Sequence, residues 1–349
     1  MNKSISLSLF FFVFIILFSC KSPQKALQLE VPNQIRIGFY NVENLFDTID
    51  LAEKIDEEFT PSSRKQWNSE RYFKKLEDLS KIIDAIEFPA LLGLCEVENK
   101  TVLKDLTSTN RMKKFGYSYV HFESPDARGI DVALIYQTKI FKVLSSEKIR
   151  IDFPKSVIGD DPYTTRDILH VKGVFGNNEI LHVFVNHFPS RRGGLEKSEP
   201  KRVYVAKQLR NAVDKIFANN TNANILIMGD FNDETNNKSI AETLNAKMPS
   251  NNLSPKSLIN CSAKLDDQGK GTYNFRGNWN MLDQIIVSNP LTQNGNKLKV
   301  GNLGIFQEEW MMFKSDKNGW TPNRTYGGPN YYGGYSDHLP IYVDVMLGK

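Results

Sequence analysis

The sequence predicts an α/β fold built on mixed or antiparallel β-sheets, and three observations lead there. Short apolar runs recur along the chain, and each ends or begins at a polar group. Between the runs lie segments whose apolar residues repeat at helical spacing. The polar groups sit at both kinds of strand end, whereas an all-parallel doubly wound sheet gathers its chemistry at C-terminal ends alone.

Four runs carry polar groups at their C-terminal ends. Residues 35–40 run into Asn41, 91–95 into Glu96, 181–185 into Asn186 and His187, and 225–228 into Gly229-Asp230-Phe231-Asn232-Asp233. Three do the reverse. Asp131 begins 132–136, Asp283 begins 284–287, and Asp337 with His338 begins 339–345. Runs of this composition read as buried strands. If all seven groups meet at one site, the strands run both ways and their ends share one rim. Tyr72, Leu76, Leu79, Ile83 and Ile86 form one helical stripe, and Val203, Ala206, Leu209, Val213 and Phe217 another. One apolar face opposite a charged one suits a helix that covers a sheet. Residues 47–66 and 314–335 read as surface loops bordering the rim, where substrate choice usually resides.

The chain has 349 residues, 40% of them hydrophobic, enough for one large core without an internal linker. One domain over 34–349 is expected. The net charge of +4 decides neither for nor against nucleic acid, since a basic stripe can hide in a near-neutral total. Lys3 precedes an apolar stretch over 7–18, shorter than the about 20 residues of a membrane span. It fits a signal peptide, residues 1–19. Leu17-Phe18-Ser19-Cys20 resembles a bacterial lipobox, which implies a lipid on Cys20, a tether over 20–33, and an exported protein anchored in the cell envelope. A plain signal peptide or an uncleaved anchor is the alternative. Cys95, inside an apolar run, reads as a buried free thiol; a disulfide to Cys261 stays open.

Carboxylates are costly to bury unpaired, so strand ends that carry them point to a metal, a water or a proton. Glu96, Asn41 and Asp337 offer oxygen only, which suits Mg²⁺, Mn²⁺ or Ca²⁺. No Cys/His cluster for structural Zn²⁺ is present. His187 opens the stretch Phe188-Pro189-Ser190-Arg191-Arg192-Gly193-Gly194. Taken alone it reads as a core histidine before a basic turn. The functional reading makes it an acid or charge stabiliser, with Asn186 and Arg191 gripping phosphate, the arginine through its planar fork. Asp131 and Asp283 each suit a buried acid that holds a histidine in one tautomer and favours its charged form. His121, His170 and His182 lack such a context and read as structural.

In order, Asn41-Val42-Glu43-Asn44-Leu45-Phe46, Leu94-Cys95-Glu96-Val97, Asp131-Val132-Ala133, Asn186-His187-Phe188-Pro189-Ser190, Gly229-Asp230-Phe231-Asn232, Asp283-Gln284 and Ser336-Asp337-His338-Leu339-Pro340 resemble the motifs of the endonuclease/exonuclease/phosphatase superfamily. The resemblance covers about residues 34–346 and implies a deoxyribonuclease I-like four-layered sandwich, two mixed sheets face to face with helices outside. It implies metal-dependent phosphoester hydrolysis. Glu96 becomes the principal metal ligand with Asn41 and Asp337 nearby. Asp230 orients or deprotonates the attacking water and Asn232 helps to position it. His338, oriented by Asp283, binds the phosphate, and His187, oriented by Asp131, does the same from the other side. A phosphodiesterase or nuclease acting on extracytoplasmic DNA or RNA, and monomeric, is the leading expectation. A phosphatase or phospholipase C-like hydrolase of a lipid or sugar phosphate is the alternative, and a non-catalytic binding module is a third reading that the intact set of acids and histidines opposes.

Overall fold

Alternation along each strand decides which residues face which layer, and here it builds three apolar layers from two sheets. The structure is a computed structural model describing residues 29–51, 54–160 and 162–348. The expected signal peptide and Cys20 lie outside the described residues.

In chain order the strands are β1 (Gln34–Leu45), β2 (Leu91–Val97), β3 (Tyr117–His121), β4 (Asp131–Gln137), β5 (Phe141–Ile149), β6 (Ile168–Phe175), β7 (Ile180–His187), β8 (Ile225–Asp230), β9 (Ala246–Lys247), β10 (Leu258–Asn260), β11 (Tyr273–Phe275), β12 (Asn278–Asn280), β13 (Asp283–Ser288), β14 (Leu298–Ile305), β15 (Met312–Ser315), β16 (Gly319–Pro322), β17 (Tyr326–Gly327), β18 (Asn330–Tyr331) and β19 (Ile341–Leu347). One sheet has six strands in the order β14-β19-β1-β2-β4-β3, and the other seven, β5-β6-β7-β8-β13-β10-β9. Each is mixed in the same way. A parallel pair, β1–β2 or β7–β8, lies at the centre with an antiparallel neighbour on each side, and the seven-stranded sheet adds a short parallel pair, β9–β10, at one edge. The helices Ser69–Ala85 and Leu195–Asn219 make the two parallel connections, over the segments whose stripes predict them.

Ile37 and Phe39 of β1 point between the sheets, with Val183 and Val185 of β7 and Leu226 and Met228 of β8. The alternate residues Tyr40, Leu92 and Leu94 meet the helix Ser69–Ala85 through Leu76, Leu79 and Ile83. Phe184, Ile225 and Ile227 meet the helix Leu195–Asn219 through Leu209, Val213 and Phe217. Both faces of the central strands are therefore buried, which explains their continuous apolar runs. The sheets approach closely at Gly93, where a Cβ would lie 2.6 Å from the Met228 sulfur. This is the four-layered α/β architecture expected.

Two expectations are refined. Residues 314–335 build hairpins, β15–β16 and β17–β18, rather than an irregular loop. Cys95 and Cys261 are both free thiols. No described helix is long and apolar enough to cross a membrane.

Candidate active site

The two parallel pairs deliver their C-terminal ends to the same rim, and the antiparallel neighbours begin there. Asp230 is the cross-strand partner of His187 on one side and of Asp283 on the other. By strand alternation Asn41, His187, Asp230 and Asp283 continue the inner faces of the two sheets, so their side chains converge where the inter-sheet core ends. The backbone is bent at this rim. Pairing of β1 with β2 shifts register between Asn41 and Leu45, and Glu43, Asn44 and Glu96 adopt φ of 49°, 52° and 62°. Left-handed conformations are uncommon for non-glycine residues, and bulges of this kind re-aim side chains beside functional sites. Asn232, just after β8, has φ of 50°.

Asp230 is the hub. Its Oδ2 accepts from Asn41 Nδ2 at 3.1 Å and lies 3.6 Å from His187 Nε2 and 3.9 Å from His338 Nε2. Its Oδ1 accepts the Asn232 amide at 2.9 Å. Burial, with Asp283 and Glu96 adding like charge, outweighs His338 and raises its pKa to about 7. His338 pairs through Nδ1 with Asp283 Oδ2 at 2.7 Å. Burial opposes its charged form, but the charge and hydrogen bond of Asp283, joined by Asp230 and Asp337, carry its pKa well above the usual histidine value. Burial lowers the pKa of His187 well below it, helped by Arg166, Arg128 and His338. One imidazole is thus charged and the other neutral.

Four expectations for individual residues change. Asp131 does not orient His187. It meets His121 Nε2 at 3.2 Å and the Ser124 amide at 2.9 Å, because alternation along β4 places it on the opposite face from Val132 and Leu134, which line the inter-sheet core. His187 Nδ1 is buried without a hydrogen-bond partner. Asn186, one residue before His187, falls on the other face of β7. It is fully buried and donates to the Met228 carbonyl at 3.2 Å, so strand alternation removes it from the recess. Arg191 is engaged with the loop after β8. Nε donates to the Asn232 carbonyl at 2.8 Å, one terminal nitrogen donates to Asn237 Oδ1 at 3.1 Å, and Glu234 lies 3.5 Å away. Its fork is a brace rather than a free phosphate clamp. Asn232 likewise donates through Nδ2 to the Phe188 carbonyl at 3.1 Å.

Glu96 and Asp337 line one cleft of about 660 Å³ together with Glu43. Glu96 accepts the Asn44 amide at 3.0 Å, and Asp337 pairs with Arg324 at 2.8 Å. Burial and then Asp337 raise the Glu43 pKa to about 7. Three carboxylates line this cleft, and the Asn41 amide oxygen accepts the Glu43 amide at 3.0 Å; this oxygen-only donor set fits a hard divalent cation. Other close groups of metal-capable side chains among the described residues are Asp230-Asp283-His338 and Cys95-His187-Asp230, both buried, and His121-Glu123-Asp131, in which Glu123 is exposed. His338 is already paired with Asp283 and His121 with Asp131, and burial holds the Cys95 thiol well above its usual pKa, in the protonated form that does not ligate metals.

Residues 36–347 match the profile described as the Endonuclease/Exonuclease/phosphatase family. The chain belongs to this family. No curated protein matches it. Among solved structures of the same fold, a mannosyl-6-phosphatase of Bacteroides thetaiotaomicron superposes with TM-score 0.57 at 16% identity, over 90% of this chain and 100% of that one. The human Nocturnin catalytic domain with bound sulfate gives 0.54 at 17% identity, over 92% and 97%. TDP2 of D. rerio, complexed with single-strand DNA product, gives 0.54 at 17%, over 90% and 99%.

Sequence reasoning missed several groups of this endonuclease/exonuclease/phosphatase family member. Arg324 and Arg128 both reach the cleft of Glu96, and Tyr273 packs its ring on His338 with centroids 4.8 Å apart. All three sit in irregular, polar stretches that carry no periodicity. Lys75 is buried, donating to Thr325 Oγ1 at 2.7 Å and to the Tyr335 carbonyl at 2.5 Å. It occupies a stripe position beside Leu76 and Leu79, where nothing in the sequence marks a lysine as internal.

Proposed function

We propose that this chain is a divalent-metal-dependent phosphoester hydrolase, with a phosphodiester of a nucleotide or a short nucleic acid as its substrate. The observation that carries the reading is the convergence on Asp230 of a charged imidazole, a neutral imidazole and an amide, beside a wall of oxygen ligands.

Asp230, with a pKa near operating pH, is matched to taking a proton from the attacking water. Asn41 holds its Oδ2, and the Asn232 amide holds its Oδ1, so the carboxylate keeps one orientation. His338 is kept protonated by Asp283 and presents Nε2–H to a phosphoryl oxygen as negative charge grows. His187 stays neutral and offers a hydrogen bond without added charge. Glu96, Asp337 and Asn41 would hold Mg²⁺, Mn²⁺ or Ca²⁺, which when bound supplies Lewis-acid neutralisation of the phosphoryl oxygens. Arg324 and Arg128 take the phosphate-gripping part expected of Arg191.

A second cleft of about 650 Å³ shares Arg324 and Asp337 with the first. Both are of small-ligand size, and Glu57 and Glu58 sit among the basic residues of the first. This interrupted charge favours a short substrate over a long duplex. It also supports a second reading, hydrolysis of a sugar or lipid phosphate, a class to which the mannosyl-6-phosphatase of the same fold belongs. Export and a lipid anchor on Cys20 remain part of the proposal on the lipobox-like residues alone.

The test is a panel of Mg²⁺, Mn²⁺ and Ca²⁺ against single-stranded DNA, RNA, plasmid DNA, a hexose phosphate, sphingomyelin and bis-p-nitrophenyl phosphate, with a chelator control and a salt titration. Metal-dependent turnover of a diester with weak salt dependence is expected. A steep salt dependence would indicate many phosphate contacts and a long nucleic acid, and turnover unaffected by chelation would refute the metal.

A further inference from the structure

The cleft on the far side of Asp337 is walled by rings. The β11–β12 hairpin contributes Tyr273 and Phe275, the β15–β16 hairpin Phe313, and the segment after β18 Tyr332. Alternation places Tyr273 and Phe275 on one face of β11, and the β-bridge between Tyr273 and His338 fixes that face to the catalytic rim. The row therefore begins at a catalytic imidazole and leads away from it. Phe275, Phe313 and Tyr332 are 52%, 57% and 60% exposed, and among the described residues none of these three rings stacks on another aromatic ring. Exposed phenyl rings gathered in one recess lose the hydrophobic effect for nothing unless a ligand covers them.

The polar lining identifies that ligand. It holds the amides of Asn274, Asn318 and Asn323, the hydroxyls of Ser315 and Thr321, and the guanidinium groups of Arg276 and Arg324. The one carboxylate is Asp337, which belongs to the metal wall. Amides match the paired donors and acceptors of base edges, arginines grip phosphate, and flat rings stack on bases. A sugar ring, rich in hydroxyl donors, is served better by several carboxylate acceptors, and this recess has only Asp337, which is paired with Arg324. Resting on the hydrolase reading above, we propose that this cleft binds the nucleobase next to the scissile phosphate, stacked on Phe275 and Phe313, with Arg324 at the junction of base and phosphate subsites.

The experiment compares thymidine 5′-p-nitrophenyl phosphate with the same ester of abasic deoxyribose, in wild type, Phe275→Ala, Phe313→Ala and Trp320→Ala. Trp320 is 45% exposed and lies on the opposite face of β16 from Thr321, which lines the cleft while Trp320 does not. Wild type is expected to favour the base-bearing ester about tenfold or more in kcat/KM, as stacking on one base allows. The preference should collapse in the two phenylalanine variants, mainly through KM, and persist in Trp320→Ala. Equal rates on both esters in wild type, or a preference that survives both phenylalanine substitutions, would overturn the base subsite while leaving the hydrolase intact. A hexose phosphate preferred in the wild type and lost in the same variants would reassign the cleft to sugars. No turnover of either ester, of a hexose phosphate or of sphingomyelin with any divalent ion would sink the hydrolase reading, and this proposal with it.

Discussion

At the scale of residues, the site turns on two histidines that burial treats in opposite ways. His338 has a carboxylate at Nδ1 and His187 has none, so one is an imidazolium and the other a neutral ring. The sequence carried the acids and both histidines as an ordered set at the ends of apolar runs, though each taken alone had a structural explanation. It did not carry their pairing. Asp131 and His121 meet within one hairpin, ten residues apart, and that local partner took the acid from His187. A pH dependence follows. Asp230 acts only as carboxylate, and its pKa of about 7 places the acid limb of kcat/KM near neutrality, with the rate rising as pH rises through it. His338 acts only when protonated, and its raised pKa places the loss of activity on the alkaline side. A bell with those limbs is expected from steady-state kinetics; a rate that falls as pH rises from 6 to 8 would contradict the roles.

At the scale of elements, hairpins and helices hold the rim in place. Glu43 accepts the Thr325 and Tyr326 amides at 2.7 and 3.2 Å while Lys75, from the helix Ser69–Ala85, donates to Thr325 Oγ1. The two clip the segment that carries Arg324. Both are buried, at 6% and 2% exposure. Lys75 makes no direct ion pair with Glu43, but its charge offsets that of the buried carboxylate, so Lys75→Met leaves Glu43 uncompensated and should lose about 3 kcal/mol in urea unfolding at pH 8. The loss should be smaller at pH 6, where Glu43, raised to about 7, takes up a proton and its uncompensated charge disappears. A pH-independent loss would show that packing rather than charge is at stake. The seven strands that end or begin at the rim and both long helices were legible from the sequence pattern, whereas outer strands such as β3, β5, β6 and β14 were not read. The hairpins over 312–331 were not, since their short strands are rich in Gly, Asn and Pro and pair only in the context of the rim.

At the scale of the whole molecule, the two-way strand argument accounts for the architecture. Each sheet centres on a parallel pair, whose C-terminal ends bring Asn41, Glu96, His187 and Asp230 to one edge, and antiparallel neighbours begin at that edge with Asp283 and His338 close by. Facing the sheets inward puts the acids at the mouth of an apolar core, where desolvation tunes them. On the proposed reading substrate choice belongs to the two clefts, whose walls come from the least periodic parts of the chain, which is why it was the least legible property. The central claim is that a buried Asp230–His338 pair beside oxygen ligands hydrolyses a phosphoester. The most direct measurement is the initial rate of bis-p-nitrophenyl phosphate hydrolysis, with and without Mg²⁺ or Mn²⁺, by wild type, Asp230→Asn and His338→Ala, each checked for its fold by circular dichroism. Metal-dependent turnover in wild type, reduced on the order of a hundredfold to ten-thousandfold in each folded variant, is the predicted result. Near wild-type turnover in either folded variant would contradict the account.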